Sequence, residues 1–284
     1  MAARDGVRPS RPPRVRLGLL ARTVVAALAA LVVFVPMYSM VVIAFSPRRD
    51  VFDRELRLLP SSWTTENFRE LFADYPVWLW MGNSFTVAAL TTVLTVALNL
   101  SAGYAFAKTR FRGDTLVFLL LLSTLMIPLQ AVVIPQFRLV SELGIYGTFW
   151  AVILPGAASA FGIFLARQFM TAIPDELLEA ARIDGAGELA IFFRIVLPLC
   201  RPLIAVLTLL TFMYHWNDFL WPLIALKERE LYRLPVALGF LNGQYETNYG
   251  GVMAATLVSS IPMVVLFLLF QRSFVAGFAR SGIR

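Results

Sequence analysis

The chain has 284 residues, of which 58% are hydrophobic and 15% charged, with a mean hydropathy of +0.72; soluble domains carry about 25% charged residues, so the apolar excess is expected to face lipid. The formal net charge is +7, but the cations lie between apolar runs instead of along one stripe, which argues for topology signals and against a nucleic-acid partner. The single cysteine, Cys200, and the single histidine, His215, exclude an intrachain disulfide and leave no basis for a Cys- or His-built metal site.

In chain order, a basic segment (1–22) with Arg4, Arg8, Arg11, Arg14, Arg16 and Arg22 precedes an apolar run at 23–45. That run exceeds the roughly 7–15 apolar residues of a cleavable signal, so it predicts a retained anchor. Further runs at 85–107, 116–135, 148–166, 202–222 and 252–270 each suit a helix of about 20 residues, enough for a hydrocarbon layer of roughly 30 Å. Strands of that length without alternating polarity would leave backbone groups unpaired in lipid. The expected fold is therefore all-α and polytopic, with six transmembrane helices in a membrane domain (23–271) and a short tail (272–284). Alternating the runs puts 16 of the 25 Lys and Arg residues on the N-terminal side, and the positive-inside rule then predicts that both termini are cytoplasmic.

Between the first two runs, the polar stretch 46–77, with Trp63, Asn67 and Phe68, predicts a short amphipathic helix after Pro60, either a docking platform or a cap. Gln130 and Gln136 flank the outer part of the third run, where amides can line a path or bridge helices. Gly156 and Ala160 offer a small-residue surface for helix contact in the fourth.

The loop 167–201 is far longer than the other internal connection. Pro174 suits a first helical turn, Asp175 and Glu176 complement the positive end of the helix dipole, and Gly185 or Gly187 can stop the helix. This predicts a helix at 174–184 with Leu177, Leu178 and Ala181 as an apolar stripe. A second helix at 188–197 carries Ile191, Phe192 and Ile195 back toward the membrane, with Pro198 and Pro202 at the start of the fifth run. On pattern alone, the pair is equally consistent with an interfacial tie between two spans.

The run EAARIDGAGELAIFFRIVLP, starting at Glu179, resembles the signature loop of binding-protein-dependent importer permeases. The Asp184-Gly185 pair looks like the sugar-importer branch, similar to the smaller maltose-type permease subunit. Asn83-Ser84, the WNDFLWP run (216–222), Leu234-Pro235 and the terminal QRSFVAGFARSGIR look like the same family. Where sister subunits end in a Gly-rich, Lys-containing stretch, however, this chain ends in Arg280, Ser281, Gly282, Ile283 and Arg284. The resemblance implies that the loop helix couples to a cytoplasmic ATPase dimer: Glu179 meets the ATPase, Ala180 and Ala181 allow close approach, Gly185 and Gly187 form the bend, and Asp184 belongs to the same coupling set. It also implies a second permease subunit of unlike sequence, an extracytoplasmic sugar-binding protein, and residence in the bacterial inner membrane. Gly187→Pro and Glu179→Lys are expected to abolish transport while leaving the protein inserted.

The chain is not expected to be an enzyme or to bind a cofactor. A P-loop needs a Lys directly after Gly, yet Lys108 follows Ala107 and Lys227 follows Leu226. No catalytic constellation of the Gly-x-Ser-x-Gly or Cys/His type is present, so ATP and Mg are expected on a partner chain.

The fifth run holds the one intramembrane acid, Asp218, and such acids are functional candidates. Tyr214, Asn217, Asp218 and Trp221 fall at i, i+3, i+4 and i+7, which predicts a single helical face joining hydrogen-bonding groups to aromatic surfaces suited to sugar rings. With Gln130, these are the candidate path residues; an aromatic belt at the outer interface is the other reading. His215 is expected to be packed. The hydrophilic loop with Asn242, Gly243, Gln244 and Tyr245 matches, by the resemblance, a loop that reaches into the binding protein. A related importer for polyamines, peptides or another small solute is the closest alternative, and a lone ion-coupled carrier would need acids or broken helices near the midplane.

Overall fold

The computed structural model describes residues 13–51, 59–241 and 248–281. Among the described residues the fold is helical, without strands. The chain divides into two compact units, residues 1–70 with 248–257, and residues 71–247 with 258–284.

In the first unit, α1 (Pro13–Ala44) runs uncharged from Thr23 onward. After it, the Phe45 ring packs on Trp63 and Phe68, and Asn67 Nδ2 donates to the carbonyls of Ala44 and Ser46 at 2.9 Å each. These two bonds satisfy carbonyls left open at the end of a helix. Asn67 opens the amphipathic helix α2 (Glu66–Asp74), which lies where the sequence predicts it, after Pro60.

The second unit is organised around α3 (Val77–Lys108), 32 residues and about 48 Å long. The helix starts well before residue 85, where the apolar run begins. Trp80, Asn83 and Ser84 are buried inside it because their polar atoms bind the distant segment 229–234 instead of ending the helix. Trp80 Nε1 donates to the Arg229 carbonyl (3.1 Å), Asn83 Nδ2 to those of Glu230 and Tyr232 (2.7 and 3.1 Å), and Ser84 Oγ accepts from the Leu234 amide (2.7 Å).

The third expected span is instead a bent pair, α4 (Asp114–Ser123, continued by a 3-10 turn to Met126) and α5 (Leu129–Glu142), with 106° between them. Pro128 explains the bend: it has no N–H to donate, and it forces the preceding Ile127 into extended backbone. The fourth expected span, 148–166, is also interrupted. A short helix at Trp150–Ile153 is followed by an irregular stretch through Pro155 and Gly156, and α6 (Ala160–Thr171) resumes after Ser159, whose hydroxyl caps the Gly162 amide at 3.2 Å. Gly156 therefore lies in the break and not on a helical small-residue surface.

Side chains from α3 and from a short helix at Leu220–Ala225 support that break. Thr95 Oγ1 donates to the Gly156 carbonyl (2.8 Å), Asn99 Oδ1 accepts from the Ser159 amide (3.2 Å), and Trp221 Nε1 donates to the Ala151 carbonyl (2.9 Å). Irregular backbone at membrane depth is tolerated only where protein satisfies it. Glycines allow the approach: a Cβ on Gly162 would lie 1.9 Å from Asn99 Nδ2, and one on Gly103 would lie 2.4 Å from the Ala166 Cβ. The close contact between α3 and α6 is thus made by Gly103, Ala166 and Gly162.

The connecting loop forms α7 (Asp175–Ile183) and a second helix that starts at Glu188, passes through a π-helical turn (Phe192–Val196) and ends at Leu199. A bend of 79° at Cys200 leads into α8 (Arg201–Asn217). Beyond it lie a short helix at Leu220–Ala225, α9 (Leu234–Leu241) and α10 (Tyr249–Ser281). Among the described residues, three helices are long and apolar enough to cross a membrane, or five if each bent pair is one span.

Candidate coupling surface and solute path

The loop helix α7 has an inward and an outward side. Leu178 is fully buried in a core with Tyr104, Ile173, Ile191, Phe192 and Val196, and Ala181 packs against the same core. Leu177, expected to share their stripe, is 44% exposed, and Ile183 is 86% exposed. Glu179, Ala180 and Asp184 also face outward. The expected set therefore splits: Glu179, Ala180 and Asp184 are presented with Leu177 and Ile183, whereas Ala181 serves the interior. Ile183 was not singled out from the sequence, because an apolar residue two positions before a glycine stop reads as packing.

The bend after α7 is made by Gly185, whose φ of +82° is unfavourable for any residue with a Cβ. Gly187 has φ −73° and ψ 159°, and a Cβ there would meet nothing within 4 Å. Proline adopts that φ, so the steric constraint in the bend lies at Gly185, and a proline at 187 would act on the preceding Ala186 instead.

Polar contacts hold both ends of α7. Lys108 Nζ, at the end of α3, donates to Asp175 Oδ1 (2.6 Å) and to the Ile173 carbonyl (2.5 Å). Arg182 Nε donates to Glu188 Oε1 (2.7 Å), and the Tyr104 hydroxyl donates to Glu188 Oε2 (2.8 Å). The hydrogen bond from Lys108 holds the Asp175 carboxyl below the usual carboxylate range; Glu188 is lowered first by Arg182 and then by Tyr104. A carboxyl lowered on folding contributes above its ordinary pKa and loses that contribution only as pH falls through the depressed value, so both contacts persist at neutral pH.

A second feature is an open cavity of about 480 Å³ beside the break. Its lining includes Thr95, Ser159, Phe161, Thr211, Tyr214 and His215. Tyr214 presents its ring, 59% exposed, while His215 is buried, as expected, with its imidazole against Gly156. The expected single face does not form, because α8 ends at Asn217 and Asp218 has extended backbone. Asn217 is exposed and turns Nδ2 back to its own helix at the Met213 carbonyl (2.8 Å), and Asp218 is half-buried. Trp221 sits in the next helix, buried against Ala151, so Tyr214 is the one of these four that lines the cavity. The buried Arg233 guanidinium donates to the His215 carbonyl near this helix end. Gln130 is exposed on α5, away from this lining, whereas Gln136 lines a separate groove. The loop residues Asn242, Gly243, Gln244 and Tyr245 lie outside the described residues.

These positions predict different outcomes. Trp221→Phe removes one buried hydrogen bond and should lower stability by about 1 kcal/mol, read from thermal denaturation in detergent, with solute preference unchanged. Tyr214→Ala should instead raise the half-saturation concentration for transport by roughly tenfold, as expected for losing one aromatic contact worth about 1.4 kcal/mol.

Residues 99–280 match the family described as "Binding-protein-dependent transport system inner membrane component". An arabinooligosaccharide transport system permease of Halalkalibacterium halodurans is 36% identical over 261 residues, 91% of this chain and 94% of that protein. An sn-glycerol-3-phosphate transport system permease of Salmonella typhi is also 36% identical, over 88% and 92% of the two chains. A lactose transport system permease of Rhizobium radiobacter is 38% identical over 76% and 79%. Among solved structures, a chain of a bacterial ABC transporter that imports the acidic polysaccharide alginate superposes with a TM-score of 0.82 at 24% identity, covering 93% of this chain and 99% of that one.

Proposed function

Because the chain belongs to the family of binding-protein-dependent transport system inner membrane components, and is thus a multi-pass transport subunit and not an enzyme, we propose that it forms half of the translocation pore of an ATP-driven carbohydrate importer in the bacterial inner membrane. In this reading the chain crosses six times, with both termini and the loop 167–201 in the cytoplasm. There α7 docks on an ATPase dimer that carries ATP and Mg, and the second pore half is an unlike permease subunit. An extracytoplasmic sugar-binding protein delivers the solute.

The observation that carries this reading is the two-sided loop helix. A segment held at both ends and buried through Leu178 presents Glu179, Ala180 and Ile183 outward. Such a helix is stiff enough to pass on a displacement that a free loop would absorb.

Carbohydrate is favoured by the cavity. Its lining combines hydroxyls with the Tyr214 and Phe161 rings and, among the described residues, contains no Asp, Glu, Lys or Arg. A phosphate ester would call for a cation and a polyamine for carboxylates; neutral polyhydroxy compounds need hydrogen-bonding groups and flat apolar surfaces. The chain should be reconstituted with its ATPase, second permease and binding protein, and uptake should be measured across neutral oligosaccharides, sn-glycerol-3-phosphate and a polyamine. Uptake restricted to neutral sugars is expected; preference for a charged solute would reject the assignment. Thiol labelling of Ile183→Cys from the cytoplasmic side only, in a Cys200→Ser chain, tests the orientation.

A further inference from the structure

Tyr104 and Lys108 are four residues apart on α3 and therefore share a face. They meet opposite ends of α7. Lys108 binds Asp175, the first helical residue, and Tyr104 reaches Arg182, in the last turn, through the Glu188 carboxylate. Asp175 and Arg182 lie roughly 10 Å apart along the α7 axis, and Tyr104 and Lys108 roughly 6 Å apart along α3. A helix held at one point can pivot about it; a helix held at two points this far apart, with Leu178 buried between them, cannot. We propose that Tyr104, Glu188 and Arg182, together with Lys108 and Asp175, form a two-point strut that fixes α7 rigidly to the end of α3, so that displacement of α7 is delivered to α3 directly. This rests on the coupling role of α7 given above and names the residues inside the chain that carry the motion.

The contacts are poorly placed to act mainly as stabilisers. The side chains of Arg182 and Glu188 are 41% and 50% exposed, and exposed ion pairs of this kind contribute little to stability. Lys108 differs, since its side chain is only 3% exposed while Asp175 is 76% exposed. A buried ammonium needs its partners, and Lys108 finds both on the segment leading into α7, the Ile173 carbonyl and the Asp175 carboxylate. Separating α3 from α7 would take both of those partners from Lys108 at once. The Glu188 carboxylate accepts one bond on each oxygen, from a different helix each time, which fixes its orientation as well as its position. These five residues are positioning residues, set apart from the outward face of Glu179, Ala180 and Ile183 that meets the motor.

The test uses the assembled transporter with its ATPase, second permease and binding protein. Tyr104→Phe removes one hydroxyl and keeps the packing; Lys108→Met removes the ammonium and keeps most of the volume. In the double variant, basal ATP hydrolysis should stay at the wild-type rate, while solute moved per ATP hydrolysed should fall at least about fivefold. Nitroxide labels on Glu176→Cys and Ser101→Cys, both exposed positions, in a Cys200→Ser chain would report the separation of α7 and α3. The separation should be the same with and without nucleotide in the otherwise unaltered chain, and should change with nucleotide once Tyr104 and Lys108 are substituted. An unchanged ratio of solute to ATP in the double variant, or a nucleotide-dependent separation with the strut intact, would overturn the proposal. Glu179→Lys is the control for the reading beneath it: full transport in that variant removes the coupling role of α7, whereas loss there alongside normal coupling in the double variant rejects the strut alone.

Discussion

Glu179→Lys is expected to abolish uptake by about 100-fold or more while the chain still inserts and assembles with its second permease. The substitution reverses a charge on an exposed helical face and touches nothing in the core beneath it, since Leu178 and Ala181 point the other way. Placing like charges across a docking surface costs several kcal/mol, and each 1.4 kcal/mol is about tenfold in affinity. Uptake into proteoliposomes and co-purification of the ATPase are the two measurements. Both should be lost together, and wild-type uptake would show that this face meets no motor.

The second large effect is expected at Gly103. A Cβ there would lie 2.4 Å from that of Ala166 and 3.1 Å from Ala166 and Arg167 backbone atoms. No rotamer change relieves a clash with backbone, so α3 and α6 would have to separate. Gly103→Val should destabilise by about 3 kcal/mol, near the upper end for overpacking, which corresponds to a fall in melting temperature of roughly 5–10 °C for a chain of this size. Gly156→Ala is the milder comparison, because its nearest neighbours are side-chain atoms of His215 and Thr91 that can shift. Thermal denaturation in detergent should rank Gly103→Val well below Gly156→Ala; equal melting would mean that the helices are not so closely held.

Much of the architecture was legible because long uncharged runs have few alternatives to helix. The loop helices fall within a residue or two of the expected 174–184, and the second begins at Glu188 as expected, because proline, acidic first-turn residues and glycine mark their ends. The interruptions were less legible. Composition alone does not say whether Pro128 or Pro155 kinks a span or ends it, since the outcome depends on what satisfies the freed backbone groups. At the Pro155 break those groups are met by Thr95 and Asn99 on α3 and by Trp221, residues remote in sequence. The expected single helical face did not form for the same reason. The i, i+3, i+4, i+7 spacing presumed one continuous helix, but α8 stops at Asn217, leaving Tyr214 in the cavity and Trp221 in the interior. Tyr104 and Lys108 carried no motif, and their pairing with Glu188 and Asp175 could be seen only once the chain was folded.

The helix α3 is gripped at its start by the segment 229–234 and at its finish by the loop 167–201, and it contains no proline at which to bend. Two remote surfaces joined by one unbroken shaft cannot be ruled by separate equilibria. Any ligand that favours one setting of the shaft at one end must alter affinity at the other, and thermodynamic reciprocity makes the factor identical in both directions. In the assembly proposed above, nucleotide that tightens the hold on a loaded delivery protein would itself be held more tightly whenever that protein is docked.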